Sequence, residues 1–137
     1  NKYYENNEQI PASLINEIKT KIEELEKELQ KLSKRYRTNK LVMSGGDPLA
    51  PCNIEFTKKF LEITTFDVCI YTGHDIEWVK KYNIKGFKFV KCGKFDYKSF
   101  RESLKTDEMM RFASPNQELY DDNFNLLSKD GIYYFNN

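Results

Sequence analysis

Apolar positions follow two rhythms along this chain, and the change from one to the other sets its organisation. Between Pro11 and Tyr36 the residues Ile15, Ile18, Ile22, Leu25, Leu29, Leu32 and Tyr36 succeed one another at alternating gaps of three and four. That spacing holds one stripe on one side of a helix and predicts a helix over residues 12–36, opened by Pro11 and Ser13. Lys and Glu solvate the opposite side. So regular a stripe suits a coiled coil, and it equally suits a helix that covers one face of a sheet.

After Asn39-Lys40 the rhythm shortens. Leu41-Val42-Met43, Phe66 to Tyr71 and Gly86 to Val90 are short runs rich in apolar, β-branched and aromatic residues, and each predicts a strand. Helices are expected between them, over residues 53–62 and 74–82. Each strand runs into glycine, at Ser44-Gly45-Gly46-Asp47-Pro48, at Thr72-Gly73 and at Cys92-Gly93. Strand–helix units in series imply right-handed crossovers and a parallel sheet, so the chain reads as one α/β domain. The three glycine-bearing ends then share the carboxyl edge, where such sheets bind ligands. Beyond Gly93 a helix is expected over Tyr97–Thr106. Phe124–Ser128 and Ile132–Phe135 flank Asp130-Gly131, the pattern of a terminal β-hairpin.

Composition narrows the partners. With 137 residues the chain has room for one real core, and ten Phe, nine Tyr and one Trp supply large rings for it. Lys and Arg number 22 against 21 Asp and Glu, which leaves no long-range attraction for nucleic acid or an anionic membrane. No run approaches the roughly 18 apolar residues of a membrane span. Cys52, Cys69 and Cys92 stand 17 and 23 positions apart, unlike a disulfide framework or a short-spaced metal site, so a reducing, cytoplasmic setting is expected. Cys69, inside a strand, reads as a small buried hydrophobe. The opening Asn1-Lys2-Tyr3-Tyr4 reads as the middle of a loop, and the natural polypeptide is expected to begin upstream.

Candidate chemistry concentrates on the glycine edge. Two successive glycines remove the Cβ atoms that keep a ligand off the backbone, although a bare pair also makes an ordinary βα turn with Asn53 capping the next helix. Asp47 is placed to accept a hydrogen bond from a ligand amine or to cap the turn. His74, the only histidine, is a solvated loop residue or a participant at the same edge. No Walker loop, nucleophile elbow or dinucleotide fingerprint is present.

Taken in order, Ser44-Gly45-Gly46-Asp47-Pro48-Leu49-Ala50-Pro51, Ile70-Tyr71-Thr72-Gly73, Gly93-Lys94-Phe95 and Ser114-Pro115-Asn116-Gln117 resemble successive landmarks of the radical S-adenosylmethionine activating enzymes. The resemblance is closest to the anaerobic ribonucleoside-triphosphate reductase activating proteins and covers roughly residues 39–137. It implies a partial (β/α) barrel of the radical S-adenosylmethionine type with a C-terminal β-hairpin. It further implies a [4Fe–4S] cluster, held by Cys-x3-Cys-x2-Cys, that binds S-adenosylmethionine and reductively cleaves it to a 5′-deoxyadenosyl radical. That radical takes a hydrogen from a glycine of the partner reductase's large subunit, with the electron coming from a separate donor. By the same resemblance Ser44, Gly45, Gly46, Asp47 and Pro48 hold the methionyl amino end, and Tyr71, Thr72 and Gly73 lie along the cofactor. His74, Gly93, Ser114, Asn116 and Gln117 belong to the cofactor or partner edge.

The sequence departs from the family pattern in two respects. The cluster motif is missing, so the chain is expected to be a single radical S-adenosylmethionine-like domain that lacks its first strand and cluster loop, and to be inactive as it stands. Phe112-Ala113-Ser114, Glu118 and Cys92 occupy places where the family usually has Arg-Gly-Ser, Arg and Asp. The alternative function is a cluster-less binding or scaffold module that pairs with a partner, or with its own copy as a homo-oligomer, through the helix 12–36.

Overall fold

The structure, a computed structural model, describes residues 12–98 and 112–133. Helix α1 (Ala12–Tyr36) occupies the span its periodicity predicts. It is followed by β1 (Lys40–Met43), α2 (Ile54–Ile63), β2 (Asp67–Tyr71), α3 (Ile76–Lys81) and β3 (Phe89–Cys92). The last described elements are β4 (Glu118–Asp121), β5 (Ser128–Lys129) and β6 (Ile132–Tyr133). The expected helix over Tyr97–Thr106 lies largely outside the described residues.

Four strands form one sheet in the order β1-β2-β3-β4. β1 pairs with β2 and β2 with β3 in parallel, Val42 opposite Cys69 and Tyr71 opposite Lys91. β4 returns antiparallel to β3, with Cys92 opposite Glu118. The sheet is therefore mixed, where a purely parallel one is expected from the strand–helix series alone. The third strand also starts later than its apolar run suggests. Gly86, at φ +94°, packs against Leu61, and Phe87 is already buried before the ladder opens at Phe89.

Strand order 1-2-3 in one direction, with crossovers of the usual hand, sends the helices to one face. The core sits there. Ile22 of α1, Ile54, Phe60 and Leu61 of α2 and Val79 of α3 close over Val68, Ile70, Val90 and Cys92 of the sheet. Alternation along the strands turns Val42, Cys69, Tyr71, Phe89 and Lys91 to the other face, which no described helix covers. Cys69 lies on this side and is half-buried, not enclosed in the core as expected. The sheet does not close into a barrel among the described residues.

Only part of the α1 stripe reaches the core. The helix has 25 residues and so runs for about 37 Å, against about 13 Å for a four-residue strand. Ile18, Ile22 and Leu29 pack inward, while Leu25 and Leu32 stay 39% and 44% exposed on the flank. On the docked side Glu26 accepts hydrogen bonds from the hydroxyls of Thr64 and Thr65 and from the Thr65 N–H. Burial raises the Glu26 carboxyl, but the hydrogen bonds outweigh it and hold the group below the usual carboxylate range. Among the described residues no helix is long and apolar enough to cross a membrane.

The expected terminal hairpin is present in shortened form. Ser128 opposes Tyr133 and Lys129 opposes Ile132 around Asp130-Gly131, both at positive φ (+53° and +77°), as a two-residue primed turn requires. Phe124 to Leu127 do not join the ladder; Leu126 forms an isolated bridge to Tyr120. Gly131 approaches the Ser114-Pro115 backbone so closely that an added Cβ would stand 2.6 Å from the Pro115 Cα.

Candidate functional site

The loop after β1 is held by side chains from three directions. Asn53 stands at the N-cap position of α2 but does not cap the helix with its side chain. Its amide instead donates to the carbonyls of Gly46 (2.7 Å) and Asp47 (3.0 Å). Thr57 donates to Pro48 O at 2.7 Å, and the Trp78 indole N–H donates to Leu49 O at 2.9 Å. Carbonyls 46 to 49 are thus each fixed by a side chain, from Asn53 at the mouth of α2, from α2 or from α3, and Pro48 and Leu49 are buried. A segment of irregular backbone becomes rigid because its polar groups are satisfied from the helix layer.

The side-chain side of the glycine pair is left open. Gly45 and Gly46 have φ +71° and +56°, and a Cβ at either would meet nothing within 4 Å. Both are exposed, as is Ser44. Gly45 takes no hydrogen bond among the described residues. Its peptide groups therefore face solvent from a fixed base, the arrangement in which backbone groups can meet a ligand.

Asp47 connects this loop to the next strand end. Its carboxylate accepts from its own turn at Leu49 N (2.9 Å), from the Thr72 hydroxyl (2.8 Å) and from Gly73 N (2.9 Å). The Thr72 hydroxyl in turn accepts from His74 N, and His74 O accepts from Gly93 N at 2.9 Å. A continuous hydrogen-bonded path thus joins the ends of β1, β2 and β3. His74 stacks on Trp78 with centroids 3.9 Å apart, and its Nε2 lies 3.9 Å from an Asp47 oxygen. The histidine is half-buried against a ring, not a freely solvated loop residue.

The remaining edge residues brace the third strand end. Gly93, at φ +110°, fits against the backbone of Asn116 and Gln117. Asn116 donates to Lys94 O and Gln117 donates to Gly93 O. The Ser114 hydroxyl is fully buried and accepts from Asp96 N. Tyr71 ends β2 on the uncovered face, apart from Thr72, which is buried. The chain brings Asp47, Thr72, Gly73, His74 and Gly93 together directly; Asn116 lines one cleft with Gly73, His74 and Gly93, whereas Gln117 reaches the edge through Gly93 and Ser114 through Asp96.

No protein-family model, curated protein or solved structure matches the chain. Its chemistry must be taken from its own atoms. The three thiols do not make a cluster site: Cys52 is exposed on the loop, and Cys69 and Cys92 point to opposite faces of the sheet. Among the described residues no three metal-ligating side chains gather. Burial, with lesser repulsion from Glu118, Asp75 and Asp47, pushes the Cys92 thiol up to about 12, so it stays protonated and inert at neutral pH.

Reading along the sequence misses two contributors. Asn53 looks like an ordinary helix cap, and only the loop geometry redirects its amide. Lys91 looks like one more surface lysine in a chain full of them. Its strand position, two residues before Gly93 and opposite Tyr71, is the one signal that turns it to the uncovered face.

Proposed function

We propose that this chain carries the S-adenosylmethionine-binding edge of a cytoplasmic radical S-adenosylmethionine activase that generates the glycyl radical of an anaerobic ribonucleotide reductase. The observation that carries the reading is the Asp47 carboxylate, which bonds Thr72 and Gly73 and so locks the Gly-Gly turn to the end of the second strand. The two stretches that resemble the methionyl-binding and cofactor-lining residues of that family are thereby parts of one rigid frame. The Gly45 carbonyl, which takes no hydrogen bond among the described residues, suits an ammonium group, which needs an acceptor without an intervening Cβ. Asp47 supports the site by positioning, because its oxygens already serve protein donors. A progressive parallel order with the helices on one face is also the arrangement of a partial barrel.

The reading requires cluster cysteines that this chain's own three thiols do not provide, a reductase large subunit as substrate and an electron donor. It is tested on the intact reading frame and its product. A Cys-x3-Cys-x2-Cys motif upstream, and 5′-deoxyadenosine released from S-adenosylmethionine under reducing anaerobic conditions, are expected; a frame without the motif removes the catalytic reading. One observation favours the second reading, a scaffold module that pairs through α1: Leu25 and Leu32 stay on its exposed flank and Tyr36 is 66% exposed. Light scattering over a wide concentration range that shows only monomer removes the homo-oligomeric form of it.

A further inference from the structure

The uncovered face of the sheet holds a second recessed site, beneath and beside the end of β2. Tyr71, Phe89, Lys91, Phe112, Leu119 and Tyr133 line a cleft of about 320 Å³, with Cys69 at its floor. That volume falls at the lower end of small-molecule sites, which run from about 300 Å³ upward. Four of those walls are aromatic rings. Phe89, at the start of β3, and Tyr71, at the end of β2, are 38% and 39% exposed.

A cation sits among these rings. The Lys91 ammonium lies 4.2 Å from the Tyr71 ring centroid and 5.7 Å from that of Phe112. Among the described residues no carboxylate lies within salt-bridge distance of it. Cys69 lines the same cleft, but burial pushes its thiol up to about 11, so it carries no balancing charge at neutral pH. Burial also holds the Lys91 amine below the usual lysine range, with Cys69 opposing this weakly. Ring faces return part of the hydration that the ammonium has lost, but they supply no formal charge. A partly desolvated cation without a counter-ion is costly, and an anion that arrives beside it recovers that cost in a medium less polar than water.

We propose that this cleft binds a planar organic anion, an aromatic ring that carries a carboxylate or a phosphate, with Lys91 as its counter-charge and Tyr71, Phe89 and Phe112 as its walls. The ring packs against the aromatic walls in offset or edge-on contact, and the acidic group meets the ammonium. The site is separate from the glycine edge and holds whether or not that edge takes S-adenosylmethionine; the two share only Tyr71.

The test uses the 137-residue chain, labelled for amide NMR, with benzoate, phenyl phosphate and the neutral benzyl alcohol as probes. At least one anion is expected to shift the amides of Tyr71, Phe89 and Leu119 saturably, and the stronger of the two identifies the acidic group. Benzyl alcohol is expected to bind more weakly. Lys91→Met should weaken the anion by about tenfold or more and leave benzyl alcohol unchanged, while Lys91→Arg restores anion binding. Loss of a desolvated charge should not lower the melting temperature of Lys91→Met, which separates lost recognition from lost fold. Absence of a saturable shift with both anions, equal anion affinity in Lys91→Met, or benzyl alcohol binding as tightly as benzoate overturns the proposal.

Discussion

Replacing Asp47 with Asn tests the hydrogen-bonded frame with a change of one atom. The carboxylate serves Leu49 N, the Thr72 hydroxyl and Gly73 N, and its side chain is only 28% exposed. An amide keeps one acceptor oxygen and turns the other into a donor. Whichever way it lies, one of the two backbone N–H groups then faces an N–H. Hydrogen bonds to a charged group contribute roughly 1.5–3 kcal/mol each, so Asp47→Asn should cost about 2 kcal/mol and Asp47→Ala, which removes all three acceptors, about 4 kcal/mol after allowance for solvent. For a chain of this size 1 kcal/mol moves the melting temperature by about 3 °C, which gives falls of roughly 6 °C and 12 °C. Thermal unfolding followed by far-UV circular dichroism measures both. In a double-mutant cycle with Thr72→Val the Asp47→Ala cost should shrink by about 1 kcal/mol or more, because the two groups share one bond. A melting temperature for Asp47→Asn within about 1 °C of the unsubstituted chain, or strict additivity with Thr72→Val, refutes the claim that Asp47 locks the two strand ends together.

Further tests bear on other parts of the structure. Gly131→Ala places a Cβ 2.6 Å from the Pro115 Cα at φ +77° and should cost more than about 2 kcal/mol in denaturant unfolding, whereas Gly45→Ala, with open space around it, should cost only the left-handed backbone penalty of about 1 kcal/mol. Ile22→Ala, at a fully buried site, should lose about 2–5 kcal/mol, while Leu25→Ala should lose about 1 kcal/mol or less; equal losses would mean that α1 docks by another face. In the folded chain the Glu26 carboxyl titrates below its ordinary value of 4.5. Its contribution is therefore complete above pH 4.5 and fades as pH falls through the folded value. The stability gap between the unsubstituted chain and Glu26→Gln, followed by urea unfolding across pH, should be widest near neutrality and close in acid; a gap that widens in acid contradicts the assignment.

Where a physical signal is periodic, the sequence carries it openly. α1 is readable because seven apolar positions keep one phase, and the first three strands because short apolar runs end at glycine or proline. The hairpin is readable because Asp-Gly suits two successive residues at positive φ. The fourth strand is not: Glu118-Leu119-Tyr120-Asp121 offers only two apolar residues between charges, and its pairing with β3 is decided by the sheet. Periodicity likewise cannot divide the α1 stripe into Ile22, which is enclosed, and Leu32, which is not, since that depends on how far the sheet extends beneath the helix. At the edge, the convergence of Asp47, Thr72, Gly73 and Gly93 follows from strand order and was legible. Asn53 and Lys91 were not, because their roles come from a loop path and a strand parity that only the folded backbone sets.

The most direct measurement of the central claim is calorimetric titration of S-adenosylmethionine into the intact protein, cluster reconstituted, with and without Gly46→Val. The added side chain enters open space on the exposed side of the turn, where a Cβ on Gly46 would meet nothing within 4 Å. Saturable binding that is lost in Gly46→Val, with the far-UV circular dichroism spectrum preserved, is the predicted result. Equal affinity in the two proteins would mean that Gly45-Gly46 is a turn and nothing more, and would contradict the account.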